Sequence, residues 1–288
     1  MLRGAFGNVL HWLGREYTDE RSMENQIYLD LYEKVYKNER HGKQKPHMPG
    51  DFNPYFFECE MFESRKYQAG DTFSFSATFM GNFANRHIES IVTAIKLMIE
   101  GDLCGNIDCF VLESATDELK GGIYYSNGNY ANKMPEAYHW SDQGDIPVTV
   151  SALSITFDKE APLMVTTKSP SMDVHLPFTD FLHRVLQRVE NICVDFSNGE
   201  QIITEWEGMM ARSSAISYKE VYGSAAPFSI LQIGRSKSGE LRWIVSGKII
   251  YTGDLTEYMP YIDAGSVLHI GKSSSLAGTG RYEWRIIR

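Results

Sequence analysis

Hydrophobic and polar positions alternate along this chain with two periods, one near 3.6 residues and one of 2. Residues 5–16 place Ala5, Phe6, Val9, Leu10 and Leu13 on one face, with Gly14 near the end, which predicts a short helix. A second helical pattern runs over 23–37 through Met23, Ile27, Leu31 and Val35. Residues 38–54 are polar and carry Gly and Pro, as a loop does. Phe73, Phe75, Ala77 and Phe79 alternate as on a strand over 72–79. From Arg86 to Glu100 the apolar residues Ile88, Ile91, Val92, Ile95, Met98 and Ile99 return at helical spacing and stop before Gly101. A strand is expected over 107–113, followed by hairpin and linker through 114–147, a stretch rich in Gly, Asn and Tyr.

The second half repeats this alternation. A strand is expected over 151–158, then a helix with Phe178, Phe181, Leu182, Val185, Val189, Ile192 and Cys193 on one face. Two strands follow, about 228–234 and 240–251, and then a short amphipathic stretch over 255–262. The chain ends on Tyr282, Trp284 and Ile286, which alternate with charged residues as in a half-buried strand. Each half thus approximates β-α-β-β-α-β, which predicts an α+β fold of two ferredoxin-like domains, 1–147 and 148–288. The first domain is expected to lack its leading strand, because the opening helix follows Met1 directly.

Between the amphipathic stretch and the last strand lies the apolar run Val267-Leu268-His269-Ile270, expected as a strand, and then GKSSSLAGTG from Gly271 to Gly280. Its three glycines and small residues let the backbone turn tightly and present N–H groups. Lys272 and Arg281 stand beside them, so the loop can hold phosphate oxygens by amide donors and point charges. It is not a nucleotide-triphosphate loop: that motif sets four residues between its first glycine and Gly-Lys-Ser/Thr, and here five separate Gly265 from Gly271. A glycine-rich crossover with incidental charges is the other reading of the same residues.

Composition narrows the classes. With 288 residues, 43% apolar and 23% charged, the chain suits about two globular domains. No apolar run approaches the ~18 residues of a membrane span, and the N-terminus lacks the pattern of a secretory signal. Cys59, Cys104, Cys109 and Cys193 form no CxxC pair, so no zinc site or disulfide framework is indicated and a reducing cytoplasm is expected. A net charge of −9 argues against a nonspecific nucleic-acid binder. The charge is uneven, however: residues 235–288 carry eight basic and five acidic side chains, a net of +3 against −12 for the rest. A second basic cluster comprises Lys34, Lys37, Arg40, His41, Lys43, Lys45 and His47. Local fields of this kind can recruit phosphate to an acidic protein.

The ending YTGDLTEYMPYIDAGSVLHIGKSSSLAGTGRYEW resembles the C-terminal signature of CRISPR-associated endoribonucleases of the RAMP superfamily, which process precursor CRISPR RNA. Leu2-Arg3-Gly4-Ala5-Phe6-Gly7 resembles the Arg-Gly-Ala-Phe-Gly element of the same group. Tyr67-Gln68-Ala69-Gly70-Asp71 agrees in order, as do Ile155-Thr156-Phe157 through Ala161-Pro162-Leu163. Two departures stand out: the strand that usually precedes the Arg-Gly-Ala-Phe-Gly element is absent, and Tyr28, Tyr32 and Tyr36 replace a frequent cysteine cluster.

The resemblance implies tandem ferredoxin-like (RRM-like) domains with a C-terminal glycine-rich loop, CRISPR repeat RNA as the main partner and other effector proteins as further ones. It also implies RNA cleavage without a metal or other cofactor: a ribose 2′-OH attacks the adjacent phosphate and the 5′-oxygen leaves. That chemistry needs a base, an acid and positive charge on the transition state. His11, on the flank of the first helix, and His269, two residues before the loop, are the candidates for proton transfer. Gly271, Lys272, Ser273, Gly278, Gly280 and Arg281 are the candidate RNA contacts. Tyr251, Tyr282 and Trp284 are candidate stacking residues, although alternating aromatics more often belong to a core. Two other readings stay open, a non-catalytic RNA-binding RAMP subunit and a ferredoxin-like binder of a small anion or a protein partner.

Overall fold

The computed structural model describes residues 2–15, 23–37, 53–59, 68–102, 110–118, 121–131, 137, 139, 149–159, 161–167, 175–197, 199–222, 226–235, 239–271 and 279–287. The chain divides into two compact units. One comprises 1–43, 53–55 and 79–142, and the other 44–52, 56–78 and 143–288.

The first unit opens with helix α1, Leu2–Arg15, whose buried face is Ala5, Phe6, Gly7, Val9 and Leu10. Its Arg-Gly-Ala-Phe-Gly element is a packing device. Arg3 donates from Nε to the Tyr55 hydroxyl at 3.0 Å and lies over the Tyr36 ring, while Phe6 is wholly buried against Tyr55 and Phe79. A Cβ at Gly7 would fall 2.1 Å from the Tyr36 ring, so only glycine lets this helix face close on that tyrosine. Helix α2, Met23–Leu31, continues as a wider π-helical turn over Tyr32–Lys37. Strands β1 (Tyr55–Glu58) and β2 (Ser76–Phe79) pair as a two-stranded sheet, of which Tyr55 and Phe79 belong to this unit and the remaining residues to the second. Helices α3 (Asn82–Arg86) and α4 (Ile88–Leu97) follow, α4 burying Ile91, Val92, Ala94 and Ile95. Strands β3 (Ser114–Asp117), β4 (Gly122–Ser126) and β5 (Asn129–Tyr130) form an antiparallel sheet that sets Tyr124 and Tyr125 against Val92.

The second unit contains β6 (Ala152–Phe157), β7 (Leu163–Thr167), α5 (Phe178–Phe196), α6 (Trp206–Ser213), β8 (Ser217–Val221), β9 (Ser229–Arg235), β10 (Leu241–Thr252), α7 (Met259–Leu268) and β11 (Tyr282–Ile286). The whole sheet is antiparallel and is organised by β10. Residues 241–246 of β10 pair with β7 and β9, and residues 247–252 with β6 and β8. The change of partners falls at Gly247, which has φ 91°. A Cβ there would lie 2.1 Å from the Pro227 carbonyl oxygen, so this bend requires glycine. In the second half the strand order is β11-β6-β10-β8. One face carries Leu153, Ile155, Phe157, Ile249, Tyr251 and Tyr282, which pack with Phe181, Leu182 and Val185 of α5 and Ile262 of α7.

Several elements differ from the sequence expectation. The strand expected over 107–113 does not form at 110–113, and the pairing begins at Ser114 instead. Strands β1, β7 and β8 and helix α6 carry no clean periodic signal and were not expected. Val267 and Leu268 end a helix rather than begin a strand: α7 starts with Pro260 in its first turn and buries Met259, Ile262, Ala264 and Gly265. A helix packed into a core reads as a continuous apolar run, which periodicity alone does not separate from a strand. Among the described residues no helix is long and apolar enough to cross a membrane.

Candidate functional site

In the second unit the site is built where α7 gives way to the glycine-rich loop. Arg188, wholly buried on α5, donates from Nε to the carbonyl oxygen of Leu268 at 3.0 Å and so caps the C-terminus of α7. Burial draws its guanidinium down to about 9, still protonated at neutral pH. The next residue, His269, takes φ 52°, a left-handed backbone that turns the chain sharply out of the helix. Its side chain is only 5% exposed and its ring stacks on Phe56, with centroids 4.2 Å apart.

Both feet of the loop are clamped. Ile270 N–H donates to Gly280 O at 3.1 Å, and Gly280 N–H is shared between the carbonyls of Ala161 and Pro162 at 3.0 Å each. Arg281 N–H donates to Ala161 O at 3.2 Å. A Cβ on Gly280, whose φ is 86°, would lie 1.8 Å from Ile270 O, so this crossing of the two feet is closed to any other residue. Ala161-Pro162-Leu163 is thus the seat on which the loop stands. Gly271 is buried beside Leu163 at the other foot. Lys272, Ser273 and Gly278 lie outside the described residues.

One carboxylate joins these parts. Glu58 Oε1 is 3.6 Å from His269 Nε2 and 3.6 Å from Arg281 Nη1. The Arg281 side chain is 52% exposed. Its guanidinium therefore balances Glu58 with one edge and keeps donors facing water, the disposition a phosphate contact requires. His269 is held between a ring and a carboxylate. Sequence reasoning brought His269, Gly271, Gly280 and Arg281 together correctly as neighbours but missed Glu58 and Phe56, which have no motif and stand more than 200 residues away in the chain.

His11 belongs to the first unit. It is partly exposed on α1, and its ring meets Tyr32 at 5.0 Å between centroids. Tyr32 stacks on Tyr36, Tyr36 on Tyr55 and Tyr55 on Phe79, so Tyr32 and Tyr36 belong to a continuous aromatic series. Lys37 Nζ lies 5.0 Å from the centre of the Tyr32 ring. An imidazole from α1 is thereby set beside a phenol and an ammonium group from the π-helical turn, a set able to transfer protons and to meet a phosphate. The expected stacking residues do not qualify. Tyr251 and Tyr282 are buried, donating to Leu176 O and Ile262 O, and Trp284 Nε1 donates to Asp263 Oδ1.

Residues 1–136 match the AF_1859_N family, described as an N-terminal domain. No curated protein matches the chain. Among solved structures, a Cas6 (TTHB231) product complex aligns with TM-score 0.50 and 10% identity, covering 98% of this chain and 92% of that one. A second structure, Thermus thermophilus Cas6 (TTHB231), aligns with TM-score 0.48 and 12% identity over 98% of this chain and 90% of that one. The chain has a mixed helix-and-sheet, Cas6-like fold.

Proposed function

We propose that this chain is an endoribonuclease that cuts precursor CRISPR RNA within its repeats. The observation that carries the reading is the meeting of His269 and Arg281 on Glu58 at the clamped foot of the glycine-rich loop, in a chain with a Cas6-like fold. The repeat RNA is the substrate, with Arg281 and the loop residues Gly271, Lys272, Ser273, Gly278 and Gly280 as its phosphate contacts. Other CRISPR effector proteins are further partners.

The fold is read as two ferredoxin-like domains, 1–147 and 148–288. In support, the strand order β11-β6-β10-β8 with α5 and α7 as connections follows the β-α-β-β-α-β plan, to which β7, β9 and α6 are additions.

The reaction is metal-independent. The ribose 2′-OH loses its proton to a histidine as O2′ attacks the adjacent phosphorus, the bond to the 5′-oxygen breaks, and that oxygen receives a proton from an acid or from water. The product ends in a 2′,3′-cyclic phosphate. His11, partly exposed beside Tyr32 and Lys37, is the preferred proton-transfer group, and His269 the second candidate. The test is incubation of a repeat transcript with EDTA present. Cleavage that stops when the scissile nucleotide is 2′-deoxy is the expected result, and activity that EDTA abolishes overturns the mechanism. The burial of His269 favours one second reading, a non-catalytic RNA-binding subunit. Tight repeat binding without cleavage by the intact chain is its signature.

A further inference from the structure

The second unit holds another cluster, away from the loop. Strand β8 lies at an edge of the sheet, paired with β10 through Glu220↔Ile249 and Tyr218↔Tyr251. Tyr218 and Glu220 share one face of it, and Tyr222 follows its end at Val221. The Glu220 carboxylate is nearly buried, and both its oxygens are engaged. Oε1 is 3.0 Å from His175 Nδ1, and Oε2 accepts from the Tyr222 hydroxyl. With Nδ1 committed to the carboxylate, Nε2 is the nitrogen of this half-exposed ring that can meet another partner. The His175 side chain is 50% exposed and Tyr222 is 65% exposed. The Tyr218 and His175 rings stand 6.2 Å apart.

The covered carboxylate thus holds His175 and Tyr222, with Tyr218 against the His175 ring, whereas Tyr251, Tyr258 and Tyr282 of this unit are buried in the core. We propose that His175, Tyr218 and Tyr222, held around Glu220 on the β8 edge, form a docking site for unpaired bases of an RNA strand. The inference rests on the RNA-cleaving reading above and extends the strand's footprint beyond the loop. Each ring offers a face to a base of any identity, and His175 Nε2 offers a hydrogen bond to a base edge. The site differs from the sheet's helix-free face, since Tyr218 and Glu220 pair with residues that point toward the helices.

The test uses the intact chain and single-stranded RNA carrying 5-iodouridine at successive positions, with photocrosslinks mapped by mass spectrometry. Crosslinks to Tyr218 or Tyr222 are expected. The double variant Tyr218→Ala/Tyr222→Ala is expected to lose at least about five- to a hundredfold in RNA affinity, the range for one stacked base. At saturating protein it cleaves a bound repeat at the wild-type rate. The double variant Tyr218→Phe/Tyr222→Phe keeps the rings and the affinity; loss equal to the alanine variant overturns stacking. If the wild type binds and cuts RNA but neither tyrosine crosslinks, this proposal alone falls. If the wild type binds no RNA, the ribonuclease reading falls and takes this one with it. A change of oligomeric state in the alanine variant, with RNA affinity intact, overturns the proposal in favour of a contact between chains.

Discussion

The buried guanidinium of Arg188 meets the carbonyl oxygen of Leu268 at 3.0 Å, one residue before the chain turns into the left-handed conformation of His269. An arginine in a core thus sets the exit direction of α7, and through it the position of the loop. Replacement by Met keeps most of the volume but leaves helix-end carbonyls without their donor. Arg188→Met is expected to lower the unfolding free energy by about 1–3 kcal/mol, the cost of an unsatisfied buried acceptor. Urea denaturation measures it, and an unchanged midpoint would mean that water replaces the arginine.

Gly280→Ala tests the crossing of the loop's feet. The new methyl group meets Ile270 O at a backbone angle open to few residues but glycine. The expected result is weaker repeat binding with a loss of stability of about 1–3 kcal/mol. Wild-type binding by this variant would show that the feet can separate without consequence.

Charge at the site makes two opposite changes. Lys272→Ala should weaken RNA binding across sequences and reduce the slope of log affinity against log salt by about one unit. Glu58→Gln removes the anion that Arg281 faces at 3.6 Å, so RNA affinity should rise by about two- to fivefold, the scale of a half-exposed ion pair. Filter binding at several salt concentrations distinguishes the two, and a Glu58→Gln variant that binds less tightly would assign the carboxylate to holding the fold.

Single-turnover cleavage by alanine variants separates the histidines. His11→Ala or His269→Ala is expected to slow cleavage by about 10²–10⁴-fold while repeat binding changes far less. Full activity in both would remove both from the chemistry.

Alkaline pH should destabilise the protein. Burial raises Tyr251 and Tyr282 well above the usual phenol value, so the unfolded chain releases these protons near pH 10 while the folded chain retains them. Their stabilisation is therefore complete below pH 10 and is lost as pH rises above it, by about 1.4 kcal/mol per pH unit for each tyrosine. Arg188 and Arg184, lowered by burial, act in the opposite direction, Arg188 from about 9 upward, but burial raises Tyr55, Tyr258 and Cys193 as well as Tyr251 and Tyr282. Unfolding free energies at pH 9.5, 10.5 and 11.5 give the slope, and a flat profile would contradict the assignment.

What the sequence revealed depended on periodicity. α4, α5, β6, β10 and β11 are amphipathic or alternating, and their apolar faces are the ones the structure buries. β8 carries Ser217-Tyr218-Lys219-Glu220-Val221 on an edge, where neither face demands apolar residues, so nothing in its composition announces a strand. The loop's glycines were legible because tight backbone crossings leave a residue-type mark. Glu58 beside His269 and Glu220 beside His175 were not, because ion pairs formed across the chain impose no local pattern.

β10 has a consequence for how the second unit comes apart. Four strands draw hydrogen bonds from this one segment, two on each side of Gly247. β10 cannot leave without breaking the pairing of all four. Its amide protons should therefore be the last in the unit to exchange with heavy water, and at the rate of global unfolding. The feet of the glycine-rich loop are clamped to the segment between β6 and β7, two of the strands that β10 holds.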